Sequence, residues 1–332
     1  MTIEQTYEEA LLTLSEGSVR LHFDAFEDID WDDPSSVIDP DADCWILPVE
    51  HPLGATAWYQ ALPEDRQKEI GLWMIAQMMK VGLQFENLLI RGLMQYVFNL
   101  PNGSPEYRYV THEATEETHH TQMFQEFTNR SGVNAPGMRR WTKTMPLQAL
   151  IPSMATLFPE FFFTLVLGGE EPIDHAQKMI LRSDWDMHPL VKRIVSIHVA
   201  EEARHISFAH RYLAERSAEM GPVRKGLLGV LTPIVYRLMC DMILAPSRSS
   251  YRELGIPRRV IKEAYWGGPQ STELLSETFA DLRMLAEDIG VRNRLTRPLW
   301  KVLGIDGRPA RFRGEVHERG GHGTAADAAK AA

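Results

Sequence analysis

Cysteine is scarce in this chain. Its 332 residues hold two, Cys44 and Cys240, far apart and in no motif. That excludes a disulfide framework and a cysteine-built zinc site, and it fits a reducing, cytoplasmic compartment. Long apolar runs are missing as well. The most apolar stretch, 149–169, is broken by Pro152, Pro159 and Glu160. It reads as a buried core helix and not as a membrane span. No basic–apolar–cleavage pattern opens the chain, so no signal peptide is expected. Basic residues are nearly absent from residues 1–50, where Arg20 stands alone among many acidic side chains. Beyond that segment basic side chains slightly outnumber acidic ones, so the net charge of −10 belongs to the N-terminal segment. There is no clustered basic face with interleaved aromatics, which excludes nucleic acid as a partner. Strand-like alternation is rare too. The remaining composition, 44% apolar and 24% charged, is that of an ordinary globular enzyme.

What is present is a doubled pattern. Glu86 is followed by Glu117 and His120, and Glu171 is followed at the same interval by Glu202 and His205. Each half is a lone Glu and then E-x-x-H, and one constant offset carries every member of the first half onto the second. Residues i and i+3 share a helix face, so each E-x-x-H pair can point inward together. The interval between the lone Glu and its pair suits an antiparallel helix pair. Counting from turns near 101–104 and 183–186, about 12 helical residues, or roughly 18 Å, separate each Glu from its turn. The paired carboxylates come back level. Glu86 sits among Leu83, Phe85, Leu88 and Leu89, and Glu171 follows Phe161, Phe162 and Phe163. Carboxylates in such runs are costly unless paired or metal-bound. Two Glu and two Glu-x-x-His on four helices form the ligand set of a ferritin-like di-iron or di-manganese bundle. The fold expected is therefore all-α, a ferritin-like four-helix bundle within a larger helical domain.

One residue breaks the symmetry. His198 lies four before Glu202 and seven before His205, on one helical stripe, whereas the equivalent position of the first half holds Glu113. With H-x-x-x-E-x-x-H the chain resembles the AurF-type arylamine N-oxygenases, which act on p-aminobenzoate and related compounds. The matching residues are Glu86, Glu117, His120, Glu171, His198, Glu202 and His205, over about residues 70–215. The resemblance implies two irons held by those seven residues, O2 as co-substrate, and oxidation of an aromatic amine through a peroxo species. It singles out no residue as a substrate-carboxylate anchor. The ligand set admits manganese as well as iron. No flavin or nicotinamide fingerprint is present, so a separate ferredoxin or reductase is implied. The oligomeric state is left open, a homodimer included.

Other classes are weighed by single residues. A ribonucleotide-reductase-like radical subunit carries a tyrosine one turn after the first E-x-x-H histidine, and here Phe124 stands there. A desaturase lacks the extra His198. An iron-storage protein leaves the C-terminal region unexplained. His175, four after Glu171, is a rival ligand ranked below His198. Pro172 should kink or unwind the third bundle helix, or start a new one. The chain divides into an acidic, partly irregular arm at 1–66, in which 24–43 reads first as solvated, with docking on the bundle or on a partner as the alternative, the bundle at 67–216, further helices packing on it at 217–313, and a Gly/Ala-rich disordered tail at 314–332.

Overall fold

A computed structural model describes residues 5–313, apart from the side chains of Pro269 and Gln270. The expected tail, with His317 and His322, lies outside the described residues. Among the described residues the chain is helical throughout and has no strand. Four long helices carry the doubled motif: α3 (Glu64–Val97), α4 (Pro105–Arg130), α6 (Pro159–Arg182) and α7 (Pro189–Glu219). Three of them begin on proline, which is pre-organised for the first helical position and needs no N–H there. Antiparallel pairing of α3 with α4 is plain from Lys80 Nζ donating to Gln125 Oε1 at 2.8 Å and from Phe124 packing on Gly82. His198 reaching Gln177 at 2.9 Å and His210 reaching Glu171 give the same relation between α7 and α6.

α6 runs unbroken through Pro172, with no second helix starting there. Local preference is overridden by packing. The proline ring would press on the carbonyl of Gly168, four residues back. Gly168 and Gly169 let two neighbours close on this stretch from different helices. A Cβ at Gly169 would lie 2.2 Å from the Phe85 ring of α3, and one at Gly168 would lie 3.0 Å from Tyr236.

The N-terminal segment docks on the bundle. α1 (Tyr7–Arg20) opens with a capping box between Thr6 and Glu9 and packs on α4 and α7. The stretch 24–43 is irregular, as expected; most of its acidic side chains are exposed, but its apolar ones dock. Ala25, Ile29 and Trp31 enter an apolar cluster with Phe124 and Phe127, and Trp45 follows them. Trp45 also stacks on His188, with ring centres 4.9 Å apart. Aromatic burial outweighs the acidic composition here. α2 (Ala57–Gln60) then leads into α3.

The close approach of this segment gives a stability prediction. A Cβ on Gly71 of α3 would sit 1.7 Å from the Trp45 carbonyl oxygen, a backbone atom that cannot rotate away. Gly71→Ala should destabilise the fold by about 1–3 kcal/mol through overpacking. A thermal scan should show a lower Tm, and an unchanged Tm would mean that Trp45 is not seated there.

α5 (Met145–Leu157) lies between the two halves, and α8 (Pro222–Ile243) covers α6. Then follow α9 (Arg248–Glu253), α10 (Arg258–Lys262), α11 (Pro269–Thr278), α12 (Ala280–Asp288) and α13 (Arg297–Val302). Tyr236 of α8 packs near Phe279 and Trp300, which ties this group to the bundle. Among the described residues the segment 222–253 alone is long and apolar enough to cross a membrane, and 56% of the 18-residue apolar stretch within it is buried inside the fold.

Candidate metal centre

The stripes of α3, α4, α6 and α7 bring seven acidic and imidazole groups to one place. Ligand atoms of Glu86, Glu170 and His198 lie within 4.8 Å of one another, as do those of Glu117, Glu202 and His205, and those of His120, His198 and Glu202. Four carboxylates and three imidazoles thus converge, all of them at most 1% exposed. Glu202 and His198 each belong to two of the three groups, so they sit between the others.

Contact geometry shows what the cluster lacks. His205 Nδ1 lies 2.8 Å from Glu117 Oε1, yet that oxygen accepts no hydrogen bond. His198 Nε2 lies 3.6 Å from Glu86 Oε1 and 3.5 Å from Glu202 Oε1, also without a hydrogen bond. Both oxygens of Glu86 and both of Glu170 are buried and unpartnered. Buried polar atoms are nearly always satisfied. With bonds near 2.1 Å, two ligands of one ion sit about 3 Å apart. Close, mutually unbonded donor atoms are what a pair of ions would satisfy, and imidazole with carboxylate suits iron. The residues fit the metal.

Burial sets the protonation of the metal-free cluster. It pushes the Glu86 and Glu170 carboxyls well above the usual carboxylate range, and the neighbouring carboxylates add to the effect. Burial also opposes charge on Glu117, but His205 and His120 beside it hold its carboxyl well below that range. Against its own desolvation, His120 is raised to about 10 by hydrogen bonds to Glu117 and Glu201. His205 is raised as well, against desolvation, by Glu202 and Glu117. His198, with weaker support, is lowered to about 4 by burial.

A second ring of contacts orients the imidazoles. His120 Nε2–H donates to Glu201 at 2.8 Å, and His205 Nε2–H donates to Glu116 at 2.8 Å. The glutamate beside each inward Glu therefore serves the histidine of the other half. Arg204 Nη2 lies 3.0 Å from Glu116 and 3.5 Å from Glu201 and balances both. Phe23 N–H donates to Glu201 at 3.2 Å, which links the N-terminal segment to the centre. His198 Nδ1–H donates to Gln177 Oε1 at 2.9 Å, leaving Nε2 for an ion. Such outer partners fix tautomer and ring orientation.

Of the seven residues read from spacing, the structure brings six together and turns one away. Glu171 accepts a hydrogen bond from His210 Nε2–H of α7. Its place in the cluster is taken by Glu170. The reason is geometric. One residue along a helix changes height by only about 1.5 Å but rotates the side chain by about 100°. Counting to a turn fixes height and not direction. Glu170 shares its stripe with Leu167, Asp174 and Gln177, all at most 8% exposed. That stripe was the available signal. His175 joins none of the three groups. Glu113 is buried near the cluster, with Oε2 unpartnered and its carboxyl raised by burial.

Comparisons with known proteins give the family. Residues 4–290 match the model of the p-aminobenzoate N-oxygenase AurF family. The chain is 48% identical over 323 residues to an uncharacterized protein of Mycobacterium bovis, spanning 97% of this chain and 94% of the relative. Uncharacterized proteins of two Mycobacterium tuberculosis strains match to the same extent. The chain is thus a member of the p-aminobenzoate N-oxygenase AurF family, whose fold is helical and ferritin-like with a di-iron centre.

Proposed function

We propose that this protein is an oxygen-activating, non-haem di-iron oxygenase that oxidises the nitrogen of an aromatic amine. The observation that carries the reading is the convergence of four carboxylates and three imidazoles with unpartnered buried atoms. Glu86, Glu117, His120, Glu170, His198, Glu202 and His205 would hold the two irons. Bound there, the irons supply O2 activation and the oxidising power, which protein side chains lack. The third histidine adds a neutral ligand where a carboxylate would add charge.

The chain's own groups do the rest. Glu201 and Glu116 hold the Nε2–H of His120 and His205, so Nδ1 of each ring faces the centre. Gln177 does the converse for His198. Glu113, kept neutral by burial, holds a proton at the edge of the cluster. Phe124 packs on His198 with ring centres 5.3 Å apart, so the position of the tyrosine in radical subunits is filled by an inert wall. Electrons come from an external ferredoxin or reductase, and the cytoplasm is the compartment that fits two free cysteines.

The test is single turnover of the iron-loaded, reduced protein with 18O2 and a panel of arylamines, acyl thioesters and aromatic acids. Label should appear in a hydroxylamine or nitro product of an arylamine. Unlabelled desaturated acyl product, or peroxide release with every amine, would sink the reading.

A further inference from the structure

Two surface helices carry apolar side chains that the fold does not cover. α8 presents Val223, Leu227, Val230, Ile234 and Leu238 to solvent. Steps of three and four residues place them on one stripe along the helix. α5 is barer still. Of its 13 residues only Pro152 and Ala155 are buried, while Met145, Leu150 and Leu157 are exposed.

Two contacts put these helices on one side of the bundle. Arg139, shortly before α5, donates from Nη2 to the Asp241 carbonyl near the end of α8, at 3.3 Å. Arg224, at the start of α8, pairs with Glu160 at 2.8 Å and lies 4.7 Å from the centre of the Phe158 ring, just past the end of α5. α5 and α8 therefore run antiparallel to each other, both packed on α6. The half-buried Phe161 and Leu165 of α6 continue the apolar surface.

Charge is sorted between the two sides of the bundle. α1 and the acidic stretch 24–43 dock on α4 and α7. The segments that frame the apolar face, 87–105, 127–159 and 220–240, hold no acidic residue in a chain of net charge −10. Their cations include Arg91, Arg140, Lys143 and Arg224. Arg91 Nη1 donates to the Gln148 carbonyl of α5 at 3.4 Å, which sets it at the rim. Arg91, Arg140 and Lys143 are exposed and form no ion pair among the described residues. Trp141, between the last two, is exposed as well.

An apolar centre with a cationic, tryptophan-bearing rim narrows the choice of occupant. α8 is about 33 Å long and α5 about 20 Å. With each about 8–10 Å from α6, the face they span is on the order of 500 Å². Monomers expose patches of roughly 300–600 Å², and a stable dimer buries about 800 Å² per partner. The face is large for a monomer and small for a dimer. Self-association would also set one cationic rim against another, and like charges across an interface repel. An anionic bilayer suits both features. Its headgroups pair with the rim cations, tryptophan sits at headgroup level, and the apolar stripes enter the acyl boundary. α8, with its inner face buried in the fold, would lie on such a surface and not span it.

We propose that the face formed by α5 and α8 docks this protein on an anionic lipid bilayer. The inference is independent of the reaction proposed above.

The test is flotation of the full-length protein with vesicles. The probes are phosphatidylcholine alone and an equal mixture of phosphatidylcholine and phosphatidylglycerol. The mixture should bind the protein at least about tenfold more tightly at low salt, and added salt should weaken that binding. Met145→Glu with Val223→Glu places an acid at each end of the face. The two residues are 78% and 85% exposed and stand in first helical turns, where an acid is tolerated. This pair should keep the wild-type Tm and lose at least about tenfold in binding. Arg140→Gln with Lys143→Gln should lose the preference for the anionic mixture. Bromine-labelled lipid should quench the fluorescence of the wild type more than that of Trp141→Phe. Wild-type protein that stays off the anionic vesicles overturns the proposal. Binding that the acidic pair leaves intact, or equal quenching of wild type and Trp141→Phe, does the same. A dimer in sedimentation that the acidic pair breaks also overturns it and assigns the face to a second copy. Should the acidic pair unfold, the Arg140 and Lys143 pair and Trp141→Phe still decide.

Discussion

Glu170→Ala should lose one of the two irons, whereas Glu171→Ala should keep both. The two residues are neighbours, both glutamate and both buried, so composition and local helix stability hardly distinguish them. Their surroundings do. Glu170 faces Glu86 and His198 with both oxygens unpartnered. Removing it deletes a ligand, and the affinity of that ion should fall by more than the ~10–100-fold typical of losing an outer partner. Glu171 is held by His210. Its loss leaves a buried imidazole N–H unsatisfied, which costs about 1–3 kcal/mol of stability. Metal content by mass spectrometry, beside a thermal scan, separates the two effects. One iron lost from Glu171→Ala and none from Glu170→Ala would overturn this assignment.

That pair also marks where sequence reasoning stops. That Glu117, His120, His198, Glu202 and His205 share inward stripes was legible because a helical face repeats every three to four residues, and E-x-x-H and H-x-x-x-E both obey it, whereas Glu86 was read from its interval alone. The start of α4 was legible from the turn near 101–104, and Pro105 stands at its first position. Glu170 was not, because the lone Glu of each half has no i+3 partner to set its direction. The docking of 24–45 was hidden behind its charge. Trp31 and Trp45 carried the opposite message and are 6% and 1% exposed. The continuity of α6 through Pro172 depends on Phe85 and Tyr236, which arrive from distant parts of the chain. Arg204, Glu116 and Glu201 form a bridge between the halves that no spacing within one half reveals.

Metal loading should tighten steeply as pH rises and should release protons. In the metal-free cluster Glu86 and Glu170 are raised by burial, and His120 and His205 are raised by their carboxylate partners against desolvation. An ion binds only the deprotonated carboxylate or the free imidazole nitrogen. Protons held on these four groups must therefore leave as the metal enters. The sign follows. A raised value stabilises the protonated, metal-free form, so lowering the pH favours that form and raising it favours the loaded one. Each displaced proton makes affinity change by up to about tenfold per pH unit. Glu117 and Glu202, held low, and His198, at about 4, are already free of protons at neutral pH and add nothing to the slope there. Competition with a chelator between about pH 6 and 8, together with proton release followed in weak buffer, measures both quantities. Glu116→Gln weakens the support for a charged His205 by removing the carboxylate that accepts its Nε2–H. That variant should release fewer protons on loading. Affinity that stays flat across this range, with no proton release, would mean that these groups do not meet the metal.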